Sequence, residues 1–179
     1  MRKLSVSRFI VIFLATSLLF LASAYGRNNT DSRRTRVKAR LSSLNEVPAV
    51  ITDASGEFEA RIEDTQITFE LKFENLSANL AASHVHIGQK GVNGGVSMFL
   101  CGGGGQPACP AATSGTITGT ITAANVVGPA AQGVTAGDFA KAVRAIRAGV
   151  TYVNAHDAMF PAGEMRGQLG GFGDDDDDN

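Results

Sequence analysis

The sequence contains three histidines, and two of them stand together as His84-Val85-His86. Side chains at i and i+2 of a β-strand share one face, roughly 6.5–7 Å apart along it. The third, His156, falls in Tyr152-Val153-Asn154-Ala155-His156-Asp157, which also reads as the end of a strand. Imidazole nitrogen is a ligand for copper and zinc, and a pair from one strand with a third from a neighbour makes a three-nitrogen site with an open position. Asn154 shares the face of His156, where it could orient a ligand or a water. The competing reading is structural: His84 and His86 hydrogen-bond loops near a strand end, and Asn154 forms a turn. Both readings stay open, because nothing in the sequence makes the two strands adjoin.

Other chemistry is poorly supported. There is no G-x-S-x-G elbow for acyl transfer, and no pair of carboxylates is placed across a cleft. The stretch Gly91–Gly95 lacks the P-loop pattern and a following helix, so it reads as a turn. Glu164, Arg166 and Gln168 share a strand face; a polar floor beside the histidines is one use for it, and cross-strand pairing on a solvent face is the expected one.

The two cysteines, Cys101 and Cys109, flank a glycine-rich segment and are expected to form a disulfide if the chain is exported. Export is the reading of the N-terminus. Arg2, Lys3 and Arg8 precede an apolar run from Phe9 to Leu21, and Ala22-Ser23-Ala24 fits a cleavage site. Residues 1–24 are therefore read as a signal peptide, and the mature chain has no transmembrane segment. Its location is expected to be secreted, extracellular or periplasmic. Cleavage leaves 13 basic residues against 17 acidic, a net charge of about −4, which argues against nucleic acid as a partner.

The elements that must position these residues are mostly strands. Val37, Ala39 and Leu41 alternate with Arg36, Lys38 and Arg40; Phe58, Ala60 and Ile62 alternate with Glu57, Glu59, Arg61 and Glu63; Ile67, Phe69, Leu71 and Phe73 alternate with polar residues. Ile117 and Ile121 alternate with threonines. Each is a half-buried strand with one wet face, and Asp64-Thr65 turns the second into the third. If the first two strands pair, Arg36, Lys38 and Arg40 lie opposite Glu57, Glu59 and Glu63. Further strands are expected at Ser83–Ile87, Gly95–Leu100, Val150–His156 and Glu164–Leu169. One amphipathic helix is expected near Thr135–Arg147, with Thr135 as N-cap, Asp138 as its capping-box partner and Gly149 as the stop. Residues 25–35 read as a polar lead-in, 36–169 as one domain, and 170–179 as an acidic, solvated tail. The sequons at Asn28 and Asn75 have meaning only in a eukaryotic source. The pattern predicts an all-β antiparallel sandwich or barrel with one short helix.

Several motifs in order carry a resemblance. Leu44-Asn45-Glu46-Val47-Pro48-Ala49-Val50, Ser83-His84-Val85-His86-Ile87-Gly88, Gly149-Val150-Thr151-Tyr152-Val153-Asn154-Ala155-His156 and Pro161-Ala162-Gly163-Glu164-Met165-Arg166-Gly167-Gln168-Leu169 are similar to the chordin-type, or CHRD, domain. The resemblance runs from about Arg36 to Leu169. It implies an immunoglobulin-like β-barrel, faintly similar to copper/zinc superoxide dismutases, in which His84 and His86 would stand at copper-ligand positions and His156 at another. The chain departs from the dismutase pattern: no fourth histidine bridges copper to zinc, and none is left for a zinc site. The expectation is an exported binding or interaction module, with an unknown extracellular or cell-surface partner and a three-histidine site for copper or zinc at His84, His86 and His156. A copper-dependent redox enzyme and a purely structural extracellular or envelope module are the alternatives.

Overall fold

The computed structural model describes residues 36–170; the signal-peptide, lead-in and aspartate-tail readings fall outside them, apart from Gly170. Eight strands form one sheet: β1 (Arg36–Ser42), β2 (Ser55–Ile62), β3 (Gln66–Glu74), β4 (Leu80–Ile87), β5 (Gly95–Cys101), β6 (Gly115–Thr122), β7 (Thr151–Asp157) and β8 (Met165–Gln168). Their order is β5-β4-β7-β8-β1-β2-β3-β6. Every pairing is antiparallel. The sheet curls into a nearly closed barrel, with an isolated bridge from Met98 to Val126 beyond the free side of β5. This is the all-β fold that the alternation predicts.

The inner face is the core. Phe58, Ile62, Ile67, Leu71, Phe73, Val85, Met98, Ile121, Val153 and Met165 are almost fully buried there. Ile117 is only partly buried. Glu63 donates its backbone N–H to Gln66 O across Asp64-Thr65, so the expected two-residue hairpin forms. Arg40 faces Glu57 and Lys38 faces Glu59, but Arg36 faces Arg61. Glu63, one residue past the end of β2, pairs instead with Arg61, at 3.5 Å.

The helix α1 spans Phe139–Arg147, shorter than the Thr135–Arg147 segment expected. Asp138 is its N-cap and accepts from the Lys141 N–H, a role the sequence suggested for Thr135. Gly137 has φ +83°, a left-handed conformation that cannot belong to a right-handed helix, so the first turn must start after it. Ala142, Val143 and Ile146 are buried, and Gly149 follows at φ +69° as the stop signal. Cys101 and Cys109 form the expected disulfide. No helix among the described residues is long and apolar enough to cross a membrane.

The two halves of the barrel differ. Strands β1, β2, β3 and β6 bury one face. Strands β4, β7 and β8 bury nearly every residue on both. Loops cover the outer face of this second half, and the histidines are on that face.

Candidate metal centre

Residues directly opposite in an antiparallel ladder share a face. His84 is opposite Asn154, His86 opposite Tyr152, and Ala82 opposite His156; β8 adds Arg166 opposite Asn154. The outward face of β4, β7 and β8 thus collects all three histidines with Asn154, Tyr152 and Arg166. Val85 and Val153 take the inward face and are buried, which fixes the register: a slip of one residue would drive the imidazoles into the core.

The histidines converge. One ring nitrogen from each of His84, His86 and His156 falls in a group with all members within 4.8 Å of one another. His84 Nδ1 and His156 Nε2 are 3.1 Å apart. His86 Nδ1 donates to the carbonyl of Gly94 at 2.9 Å, and His156 Nδ1 donates to that of Pro161 at 3.1 Å. With those protons on Nδ1, the Nε2 atoms of both neutral rings carry free lone pairs. His156 Nε2 then accepts from His84 Nδ1. Among the described residues, His86 Nε2 is buried with no hydrogen-bond partner, and so is Asn154 Oδ1.

Burial pushes all three imidazoles below their ordinary range. It carries His84 down to about 4, with neighbouring His156 and His86 adding to the effect and the Asn154 amide offsetting part of it. His86 and His156 move the same way, again chiefly through burial. All three rings are therefore neutral at pH 7, the form in which imidazole binds a metal.

The surroundings hold these rings in place. Phe99 meets His84 edge-on at 4.4 Å between centroids. Tyr152 stacks on His86 at 4.8 Å and carries the Arg166 guanidinium over its ring at 4.4 Å. Arg166 is buried and donates from Nε to Asn45 O and from Nη1 to Asn93 Oδ1. It therefore clamps the 43–50 loop and the β4–β5 turn over the histidine face, and the expected solvent-face role for Glu164 and Arg166 is corrected. Glu164 is also fully buried, but it accepts from Ser77 N and Oγ and anchors the chain before β4.

Glu46 is a site residue that the sequence reading did not single out. It is buried, and its Oε1 has no partner among the described residues. Desolvation raises its carboxyl to about 6, with Arg166 pulling the other way. A Cβ at Gly163 would lie 2.6 Å from Glu46 Oε1 and 3.1 Å from Asn154 Nδ2, so glycine there lets the carboxyl and the amide approach. The only sequence signal was the presence of Glu46 and Arg166 in motifs already noticed.

This outward-facing histidine set lies on a barrel matched to a known family. The CHRD domain family model matches residues 37–169, and the chain belongs to that family. No curated protein and no solved structure matches the chain. A CHRD domain and a disulfide are both typical of extracellular proteins.

Proposed function

We propose that this CHRD domain is an exported interaction module whose histidine face holds one Cu(II) or Zn(II) ion through His84 Nδ1, His86 Nε2 and His156 Nε2. The observation that carries the reading is the buried His86 Nε2, without a hydrogen-bond partner among the described residues, beside the His84–His156 pair. A buried lone pair with no donor is costly, and a cation removes that cost.

The donor set fits such an ion. With metal–nitrogen bonds of about 2.0–2.1 Å, two ligand nitrogens lie about 3.3 Å apart in tetrahedral geometry and about 2.9 Å apart at a right angle. The His84–His156 separation of 3.1 Å is already between these. The widest separation in the group, up to 4.8 Å, must close by about 1 Å or more. Binding through His84 Nδ1 moves its proton to Nε2, so the tautomer changes while the ring stays neutral. The carbonyls of Gly94 and Pro161 keep the other two rings in their binding tautomer. Such an ion would supply a Lewis-acidic position facing the loops and would tie β4 to β7.

Export is supported by the N-terminal pattern, the disulfide and the family. The partner belongs to the extracellular space or a cell surface.

Calorimetric titration of the mature chain with Cu(II) and Zn(II) at pH 7.4 tests the site. One equivalent should bind, copper more tightly under the Irving–Williams order. His84→Ala, His86→Ala and His156→Ala should each weaken binding by about 100-fold or more. Equal affinity in wild type and all three variants would sink the proposal.

A further inference from the structure

A different part of the barrel presents a binding edge. Strand β6 is Gly-Thr-Ile-Thr-Gly-Thr-Ile-Thr and ends the sheet order beyond β3. Two observations fix which backbone groups point away from β3. Gln66 O takes the Glu63 N–H, so the even-numbered residues of β3 face β2 and the odd-numbered ones face β6. The odd residues Ile67, Phe69 and Leu71 are opposite Ile121, Gly119 and Ile117. The N–H and C=O groups of Thr116, Thr118, Thr120 and Thr122 therefore point outward. Independently, Thr120 O accepts from Gln106 Nε2 and the Thr122 N–H donates to Asn125 Oδ1.

Those two contacts take up the Thr120 C=O and the Thr122 N–H at the C-terminal end of the edge. The N–H and C=O groups of Thr116 and Thr118 have no partner among the described residues. Both residues are exposed, as an unpaired stretch of backbone must be. Edge strands of this kind are usually blunted by lysine, proline or a bulge. β6 has no charged residue and no proline, and its ladder with β3 shows no bulge.

We infer that this edge pairs with the same edge of a second copy of the chain, about a two-fold axis through Ile117. In that register Thr116 meets the partner's Thr118 and Thr118 meets the partner's Thr116, which satisfies the N–H and C=O groups of both residues in each copy. The caps on Thr120 and Thr122 stay in place. The side chains also match, since Ile117 meets the partner's Ile117, threonines meet threonines, and Gly115 meets the partner's Gly119. No charge is brought against a like charge, and an uncharged edge offers nothing to select a charged stranger. An isologous contact closes on itself and does not propagate into a fibre.

The contact is short and buries less than a standard interface, so association is weak and needs protein at about 1 mM to be followed. The test combines sedimentation equilibrium with residue-resolved amide exchange on the full mature chain. The wild type should dimerise, and the Thr116 and Thr118 amides should gain protection with concentration while the Thr122 amide, already bonded to Asn125 Oδ1, does not. Thr118→Pro removes an N–H that plays no part in the β3 ladder, and proline is tolerated at such edges. The double substitution Thr116→Lys with Thr118→Lys sets lysine opposite lysine and keeps every N–H. Each should weaken association at least tenfold at unchanged melting temperature; if the proline variant fails to fold, the lysine variant decides. A wild type that is monomeric at about 1 mM overturns the inference. So does a dimer unaffected by the lysine variant, or concentration-dependent protection confined to other strands.

Discussion

At the scale of single residues, the histidine face is set by where protons are allowed. Burial lowers all three imidazoles, so between the ordinary value of 6.5 and the folded value of about 4 for His84 the unfolded chain binds more protons than the folded one. Stability then rises with pH across that window and falls as the solution is acidified through it. The His84 contribution is roughly 2–3 kcal/mol. Denaturant unfolding of metal-free protein at pH 7 and at pH 4 should show the loss, and His84→Phe should flatten the profile. Glu46 acts in the opposite direction. Its carboxyl rises from 4.5 to about 6, so the folded state holds its proton more tightly and loses stability as pH climbs through that interval. Glu46→Gln should therefore stabilise the metal-free protein by roughly 1–2 kcal/mol at pH 8 and change little at pH 4.5.

At the scale of elements, the glycines of the strands are as informative as the aromatics. Gly119 on β6 lies against Phe69 on β3, and a Cβ there would come within 2.7 Å of the ring. Gly119→Ala should destabilise by about 1–3 kcal/mol and Phe69→Ala by about 3–5 kcal/mol. The alanine at 119 should cost much less once the ring is gone, a coupling that a double-mutant cycle measures directly. This half of the barrel was legible in the sequence because each strand has one wet face, and alternation records it: Val37, Phe58, Ile67 and Ile121 were all placed inward. The second half was less legible. In β7, six of the seven residues are buried, so periodicity carries no information about which face is which. The histidines could be found because their type is rare and their spacing is short. Arg166 is open to two readings in the sequence, a floor beside the histidines or a solvent-face pair, and its burial is not legible there, because what buries it includes Asn45, 121 positions away. Glu46 was missed for the same reason, since its burial comes from loops and a distant glycine, not from its own neighbours in the chain.

At the scale of the whole molecule, the disulfide holds the loop that leaves β5 and leads to β6, the two strands at the ends of the sheet order. Replacing Cys101 and Cys109 together by alanine should cost about 2.5 kcal/mol by the loop-closure estimate for eight residues of separation. Chemical denaturation of the mature variant against wild type checks it. The barrel's two halves also differ in depth. The β6 end has open backbone groups and one dry face, while β4 and β7 are paired on both sides, with both faces dry and loops clamped above them. Local opening starts where backbone is solvated and apolar cover is thin, so fraying should spread inward from β6 and reach the histidine strands last. An ion seated on those strands would leave only when the clamped loops lift or the barrel comes apart. Its residence time would then follow the protein's own lifetime against unfolding, making this face a slow-exchanging reservoir and a poor sensor of passing changes in metal supply.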